Sequence, residues 1–577
     1  MTPRKHSISS CLGALLLVLS LTSWAPAQTV WYVDDDAPND PGPGDPTVSD
    51  PDEDGSSDHP FDAIQEGIDA AVGGDEVVVL EGTYTGDGNR DLDFSNGLPP
   101  GQTRAITVRS TDPQDPGVVA ATVIDCEGTS AEPHRGFTFH SGESADSVLA
   151  GLTITSGYGP QEELWPGGWY SVGGGVFCTG SGPTLENCTF SANSANGFGG
   201  GMYNEFSSPT VTNCTFSGNA ADYSGGGMDN DEGSPTVTNC TFKGNAADCG
   251  GGMFNEGSRP AVTNCRFSAN SADSGGGMFN EASRPTVTNC TFTGNSAYFG
   301  GGMLNRHSSP TVTNCTFSGN RAGWDGGGMC NYESSATVAN CIFWGNTASS
   351  GPQIALVRYD DPCELTITYS DVQGGEADVY VEAGCTLVWG GGNIDADPLF
   401  TGGPGGSWTN DGAYDPATYL VTFTDNTATW IAGELAGKLV KPDTAQTPQF
   451  LIVANTASTM TIWADWATID AGVSWVTAGM SYQIYDDRLL AGSPCIDAGD
   501  NNAVFFSSPQ RTPIWTGTTA SSTAPWTWGH TSTRPTSFPR TRHRPCAVLS
   551  CARPTATRAS WTFTWRSRAG SNVDPAD

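Results

Sequence analysis

Lysine is almost missing from this chain. Only four lysines stand among 577 residues, and 25 basic side chains face 62 acids, for a formal net charge of −37. Surfaces that bind nucleic acid or anionic lipid need clustered Lys and Arg, so neither is an expected partner. Long apolar runs are missing as well. The stretch from Leu12 to Leu21 falls short of the ~20 residues a membrane span requires, and no later segment comes closer. There are 17 cysteines, yet no CxxC pair and no histidine cluster that would hold zinc. Charged residues make up only 15% of the chain, while glycine reaches 74 residues, too many for a helical repeat. A chain of this length is also too long for one ordinary core, so several domains or a repeat array are expected.

The N-terminus has the three parts of an export signal: basic Arg4, Lys5 and His6, the short apolar run, then Ala25-Pro26-Ala27. Residues 1–27 are therefore expected to be removed, leaving a mature chain that begins at Gln28. The expected location is outside the cell or on its outer surface.

What the chain does have is a repeat. Cysteines fall at Cys188, Cys214, Cys240, Cys265, Cys290, Cys315 and Cys341, always 25 or 26 residues apart. Phe190 to Phe343 and Asn193 to Asn346 keep the same step. So does a second line running from Met202 to Met329, each methionine two residues before an asparagine. The units carry Gly-Gly-Gly, Pro-Thr-Val-Thr and Asn/Ser/Gly punctuation, which favour short strands and tight turns. One unit cannot bury its own apolar face, but stacked coils about 4.8 Å apart can. Strand alternation places Val211, Cys214, Phe216 and Met202 in the lumen, with a bend at Asn213 and with Thr212 and Thr215 outside. Asn219 and its equivalents are expected to form a buried amide ladder.

These motifs carry a likeness. "GGGM-x-N" followed by "CTFSGN" resembles the paired GGA[ILV] and FxxN signature of chlamydial polymorphic outer membrane protein repeats, with Gly201 where that family favours alanine. Upstream, His59 to Tyr84 resembles the opening of pectin-lyase-like β-helix proteins. There an amphipathic helix caps the open end, here with Phe61, Ile64, Ile68 and Val72 on one face. The resemblance covers roughly residues 58 to 400 and implies an all-β, right-handed parallel β-helix solenoid with an N-terminal capping helix. It implies no particular activity, because this architecture serves lyases, hydrolases, adhesins and inert scaffolds.

Around that solenoid the composition changes. Residues 28–57 are an acidic Pro/Gly-rich segment, 58–160 the cap with irregular coils, and 161–400 the regular repeats. "CELTITYSDVQGG" and "DADPLF" read as final coils. Residues 401–488 read as an inserted β module with Trp408, Trp430, Trp463, Trp466 and Trp475, and 489–503 as the resumed end of the β-helix. Those tryptophans would be core or would stack on sugar rings. Residues 504–577 form an aberrant basic tail with nine arginines, no lysine and no glutamate. It reads as an out-of-frame translation of a GC-rich gene or as a basic disordered tail, and it lacks the alternating strands of an autotransporter barrel.

Candidate sites are few. Asp50, Asp52, Asp54 and Gly55 match the start of a calcium-binding D-x-D-x-D-G loop, although Phe61 stands where its glutamate belongs. Glu205, Asp231, Glu256 and Glu281 place one carboxylate on each successive coil, ended by Arg306 and Tyr332; they would share cations or fan into solvent. The ladder cysteines are expected reduced, as small buried hydrophobes, with Cys249 and Cys330 off the ladder. The Asn-Thr-Asp, Gly-His-Gly and Arg-Ile-Lys signatures of polygalacturonases are absent. For lyase chemistry, Arg109, Arg135 and His140 are the only candidates, against a plain reading as surface charge. The expectation is a noncatalytic exported or cell-surface β-helix, structural or adhesive; the alternative is a polysaccharide-binding or polysaccharide-degrading enzyme. Calcium is the one cofactor in view, and a polysaccharide or cell-surface ligand the partner.

Overall fold

The computed structural model describes residues 28–35, 53–165, 168–415, 420–435, 438–444, 450–463 and 477–489. The export signal, Asp50, Asp52, the 504–577 tail and nearly all of 489–503 lie outside these residues. Among the described residues, no helix is long and apolar enough to cross a membrane.

Each coil of the repeat is laid down in four strokes. The chain runs through Met202–Glu205, Thr210–Thr212, Thr215–Ser217 and Ala220–Ala221, then starts again at Met228–Asp231. Equivalent strands pair in parallel and in register: Met202 lies on Met228, Thr210 on Thr236, Phe216 on Phe242. The strokes build four sheets. Sheet 1 has 13 strands from Val30–Val33 to Thr386–Trp389, and sheet 2 has 11 from Gly82–Tyr84 to Asp371–Val372. Sheet 3 has 11 strands from Leu92–Asp93 to Tyr380–Val381, and sheet 4 has six from Ser194–Ala195 to Arg321–Asp325. The result is a parallel β-helix.

The lumen is filled as strand alternation requires. Met202, Val211, Cys214 and Phe216 are all buried, and so are their copies. From Phe216 to Phe343 the rings stack face to face at 4.6–4.9 Å with planes within 3°. Burying each such ring favours the fold by about 1.5–3 kcal/mol. The ladder thiols are free, as expected. Each backbone N–H at Cys214, Cys240, Cys265, Cys290 and Cys315 donates to the sulfur of the next coil at 3.4 Å. Burial pushes the thiols of Cys214, Cys240, Cys290 and Cys315 well above their usual range, so they stay protonated and inert.

Two backbone devices hold the coil shape. Asn213 and its equivalents sit at φ near +55°, the left-handed bend that asparagine tolerates. In the Gly-Gly-Gly turn only the first glycine needs a positive φ, as at Gly225 (+64°). The other two are small because the next coil presses on them: a Cβ on Gly227 would lie 2.5 Å from the Gly252 carbonyl oxygen.

Coil length varies in one place only. From Met202, Met228, Met253, Met278, Met303 and Met329 the next ladder cysteine always follows after 12 residues. From a ladder asparagine to the next methionine there are eight or nine. The optional residue falls in the sheet 4 stroke, where the register slips between Ala297 and Phe299 against Arg321–Asp325.

The flanks hold several corrections. The capping helix spans Ile64–Ala70 and buries Ile64 and Ile68, with Phe61 partly packed. Val72 does not join that face: the chain turns extended at Ala71, which takes the buried place, and Val72 is 60% exposed. The interruption around Trp169 is an antiparallel hairpin of Gln161–Trp165 and Gly168–Ser171. An unexpected short helix, Pro116–Ala121, is capped by Asp115 accepting from the Gly117 N–H. "CELTITYSDVQGG" forms a coil through Glu364–Thr368 and Asp371–Val372, and "DADPLF" begins against it, with Asp395 accepting from the Gly374 N–H and the Ala396 N–H donating to Asp371, but forms no strand of the solenoid sheets. Its Phe400 instead opens a strand of a separate antiparallel sheet and packs against Ile342. That sheet has seven strands, from Phe400–Ser407 to Ser481–Leu489, and its own core around Trp408, Phe423, Ile452 and Tyr482. Cys363 and Cys385, which carry no repeat signal, form a disulfide near the end of the solenoid. Cys249 is also disulfide-bonded, whereas Cys330 is a buried free thiol.

Candidate functional site

Two buried amide ladders run the length of the regular coils, and they end differently. In the first, Asn219 Nδ2 donates to Asn245 Oδ1 at 3.0 Å, and the Asn219 backbone N–H donates to that same oxygen at 3.0 Å. The pattern repeats from Asn193 to Asn346. This ladder is closed at both ends: Gly157 N–H donates to Asn193 Oδ1, and Asn346 Nδ2 donates to Gln353 Oε1. The second ladder, Asn204 to Asn331, was legible as the Met-x-Asn spacing but not as a lumen column. Each Nδ2 donates to the next Oδ1 at 2.8–2.9 Å. Its ends are open, because the in-register neighbours are Cys178 and Leu356. Asn204 Oδ1 and Asn331 Nδ2 remain buried without partners. These columns are structural, since nothing in the packed lumen reaches solvent.

The outer acids of sheet 3 are stacked as expected, with Glu205 on Asp231, then Glu256, Glu281 and Arg306. They are not a freely solvated fan. Asp231 is 3% exposed and accepts from the Tyr203 hydroxyl at 3.3 Å, and Glu205 accepts from Thr179 Oγ1 at 2.9 Å. Burial pushes the Glu281 carboxyl up to about 7, opposed by Arg306, whose Nε lies 3.2 Å away. Glu205, Asp231 and Glu281 are each engaged by a protein group, and the cation of Arg306 ends the row.

At the cap, Asp54 is an exposed turn residue whose Oδ1 accepts from the Ser56 N–H at 3.0 Å, and the side chain and backbone N–H of Ser56 together lower its pKa. Its proposed calcium partners Asp50 and Asp52 lie outside the described residues. A different acidic group comes together beside it: carboxylate oxygens of Glu53, Asp62 and Glu66 lie within 4.8 Å of one another. Burial and the two neighbouring carboxylates push Glu66 up to about 8, so one proton is held within the group at neutral pH. Sequence spacing missed this trio because its members come from a loop, the approach to the helix and the helix itself.

The three candidates for lyase chemistry do not converge. Arg109 lies on the outside of sheet 1, where Nε and Nη2 both donate to Glu76 Oε2 at 2.9 and 2.8 Å. Arg135 is not surface charge: it is 2% exposed, lies over the Phe177 ring at 4.8 Å and pairs with Glu162 at 3.0 Å. Burial lowers its pKa, and the Glu162 carboxylate partly opposes that shift. His140 stands at the far end of the strand Phe137–Phe139 from Arg135, five residues or roughly 16 Å along an extended chain. Its Nε2 is 3.2 Å from Asp93 Oδ2. Around it lies a polar group, with Ser95 Oγ donating to Asp93 Oδ1 at 2.7 Å and Ser141 Oγ donating to Ser95 Oγ at 3.0 Å.

In the antiparallel module, Trp408 is core. It is 1% exposed, stacks on Phe423 and Tyr482, and donates its indole N–H to the Pro442 carbonyl oxygen at 2.7 Å. Trp430 packs partly buried against the same core. The side chains of Trp463, Trp466 and Trp475 lie outside the described residues.

Residues 168–309 match the family model described as "Right handed beta helix region". The fold is a right-handed parallel β-helix. No curated protein matches the chain. Among solved structures, a pectate lyase is 15% identical, with 65% of this chain and 83% of that one covered at a TM-score of 0.34. A lacto-N-biosidase from Eubacterium ramulus is 8% identical, covering 64% and 68% at a TM-score of 0.26. An alginate lyase from Paenibacillus is 13% identical, covering 58% and 96% at a TM-score of 0.22. At these values the likeness carries no functional weight for this β-helix.

Proposed function

We propose that the chain is a noncatalytic, exported β-helix that acts through its outer surface in a structural or adhesive role. The observation that carries this reading is the fate of the basic side chains. Arg109 is taken up by Glu76, Arg135 is buried against the Phe177 ring, and His140 rests on Asp93 at the far end of its strand. Acid–base cleavage needs its groups within hydrogen-bond reach of one bond, and these three are held apart. Export rests on the basic, apolar and small-residue pattern of residues 1–27.

The test uses the whole exported chain and a panel of acidic and neutral polysaccharides, with and without calcium, following both product release and retention. Retention without new chain ends supports an adhesive surface. Release of unsaturated uronates or reducing ends, abolished by His140→Ala, overturns it in favour of an enzyme. That second reading draws on the Asp93–Ser95–His140–Ser141 group and on surface aromatics such as Trp169 and Tyr298, which are 58% and 48% exposed. Calcium-dependent retention lost in Glu66→Gln would assign the ion to the cap.

A further inference from the structure

The outer face of sheet 1 departs from the character of the rest of this acidic chain. Strands 210–212, 236–238, 261–263, 286–288, 311–313 and 337–339 each send their first and third side chains outward. Those twelve positions hold ten threonines and two alanines, Ala261 and Ala339, and no charge. Thr236, Thr286, Thr311 and Thr337 are exposed, and the third-position row is half-buried. Glu186 bounds the field at one end. The matching outer row of sheet 2 is not open in this way, since Ser268, Thr293 and Ser318 are buried.

The threonines form a rigid two-dimensional lattice. Along the solenoid the step is that of the coils, fixed by the phenylalanine stack at 4.6–4.9 Å. Along each strand two outward residues lie about 6.7 Å apart. Each site offers a methyl group and a hydroxyl, with β-branching that restricts its rotamer.

That lattice lies near the repeats of tetrahedral water, within about 0.3 Å across the coils and about 0.6 Å along each strand. Oxygens about 2.75 Å apart at the tetrahedral angle repeat every ~4.5 Å between second neighbours. The same lattice repeats every ~7.3 Å along its unique axis. Across the coils the mismatch is about 0.3 Å per step, so five steps accumulate roughly 1.5 Å, near half an oxygen–oxygen distance. Over six coils the offset thus reaches about a third of one ~4.5 Å repeat, so registry is best over the central coils. Neutrality matters as well, because a fixed charge would impose its own hydration shell on the ordered water.

We propose that the outer face of sheet 1 between Thr210 and Thr337 binds ice. The methyl groups order a layer of water in the troughs between the rows, the hydroxyls anchor it, and the layer merges with the growing crystal. This stands apart from the polysaccharide reading: an inert polysaccharide screen leaves it untouched.

The experiment grows ice slowly from a dilute solution of the full chain mixed with a globular protein that does not bind ice, then compares their concentrations in the ice and in the liquid. The expected result is several-fold enrichment of the chain in the ice relative to that protein. Thr236→Tyr combined with Thr286→Tyr is expected to remove the enrichment, while Ala220→Tyr on the exposed edge of sheet 4 keeps it. Circular dichroism confirms the β-helix in each variant. Exclusion of the wild type from ice overturns the proposal. So does equal loss in Ala220→Tyr with the fold intact, or retention on crystalline chitin or cellulose without enrichment in ice.

Discussion

The regular coils and the antiparallel module spend similar residues on different kinds of order. In coils 188–346 each side chain's chief neighbour is its own copy, so phenylalanine meets phenylalanine and amide meets amide along one axis. In the module, Trp408 meets Phe423, Tyr482 and the Pro442 carbonyl, each a different partner. Repetition lets one good pairing serve many times, but it also lets one bad substitution disturb the coils on both sides. The module confines damage to its own core.

That contrast can be broken in several ways. The largest effect is expected from Phe267→Ala, which opens a gap in a continuous ring stack and costs about 3–5 kcal/mol. Hydrogen exchange should then rise in neighbouring coils while Val421–Thr424 of the module keeps its protection. Trp408→Ala should show the reverse at similar cost, and equal loosening of both regions would mean that they unfold as one. Next comes Asn270→Ala, which strips the Asn245 N–H and Nδ2 of their shared acceptor. Orphaning buried donors costs about 1–3 kcal/mol each, so chemical denaturation should show a loss well beyond that of Asn331→Leu. The latter removes a ladder end already lacking a partner for Nδ2.

Acidity gives a smaller, signed effect. Glu66 and Glu281 have folded pKa values of about 8 and about 7 against an ordinary 4.5. Between pH 4.5 and those values the unfolded chain gives up protons that the fold retains. The fold therefore loses stability as pH rises through that window and levels off above it. Melting temperature should fall from pH 5 to 8, and the slope should shrink in Glu66→Gln and Glu281→Gln. The smallest effect is local: reducing Cys363–Cys385 should loosen the final coil and leave the ladder at Cys188–Cys341 unchanged by hydrogen exchange.

Much of the solenoid was legible because stacking rewards identity, and identity is visible as spacing. The positions of Cys214, Phe216 and Asn219 follow from that alone. What spacing cannot carry was misjudged or missed. Val72 looked like a helix residue because its period fits, but the chain leaves the helix at Ala71. Arg135 looked like surface charge because an aromatic roof over a guanidinium leaves no local pattern. Glu53, Asp62 and Glu66 meet only once the cap is folded. Cys363 and Cys385 belong to a coil without copies, so nothing in register pointed from one to the other. Of the D-x-D-x-D-G motif only Asp54 and Gly55 are described, with Asp54 accepting from the Ser56 N–H, and Asp50 and Asp52 lie outside the described residues.

The single optional residue per coil has a wider meaning. Three of the four strokes are locked in length, since a shift there would misalign every column of the lumen. The stroke between the ladder asparagine and the glycine turn already tolerates eight or nine residues and absorbs the difference as a bulge within Ala322–Asp325, opposite Ala297–Phe299. That edge is the seam along which the solenoid can grow outward: a graft at Tyr298 or Gly323 would leave the stacked columns in phase, and a panel of grafts would be displayed there at the pitch of the rod.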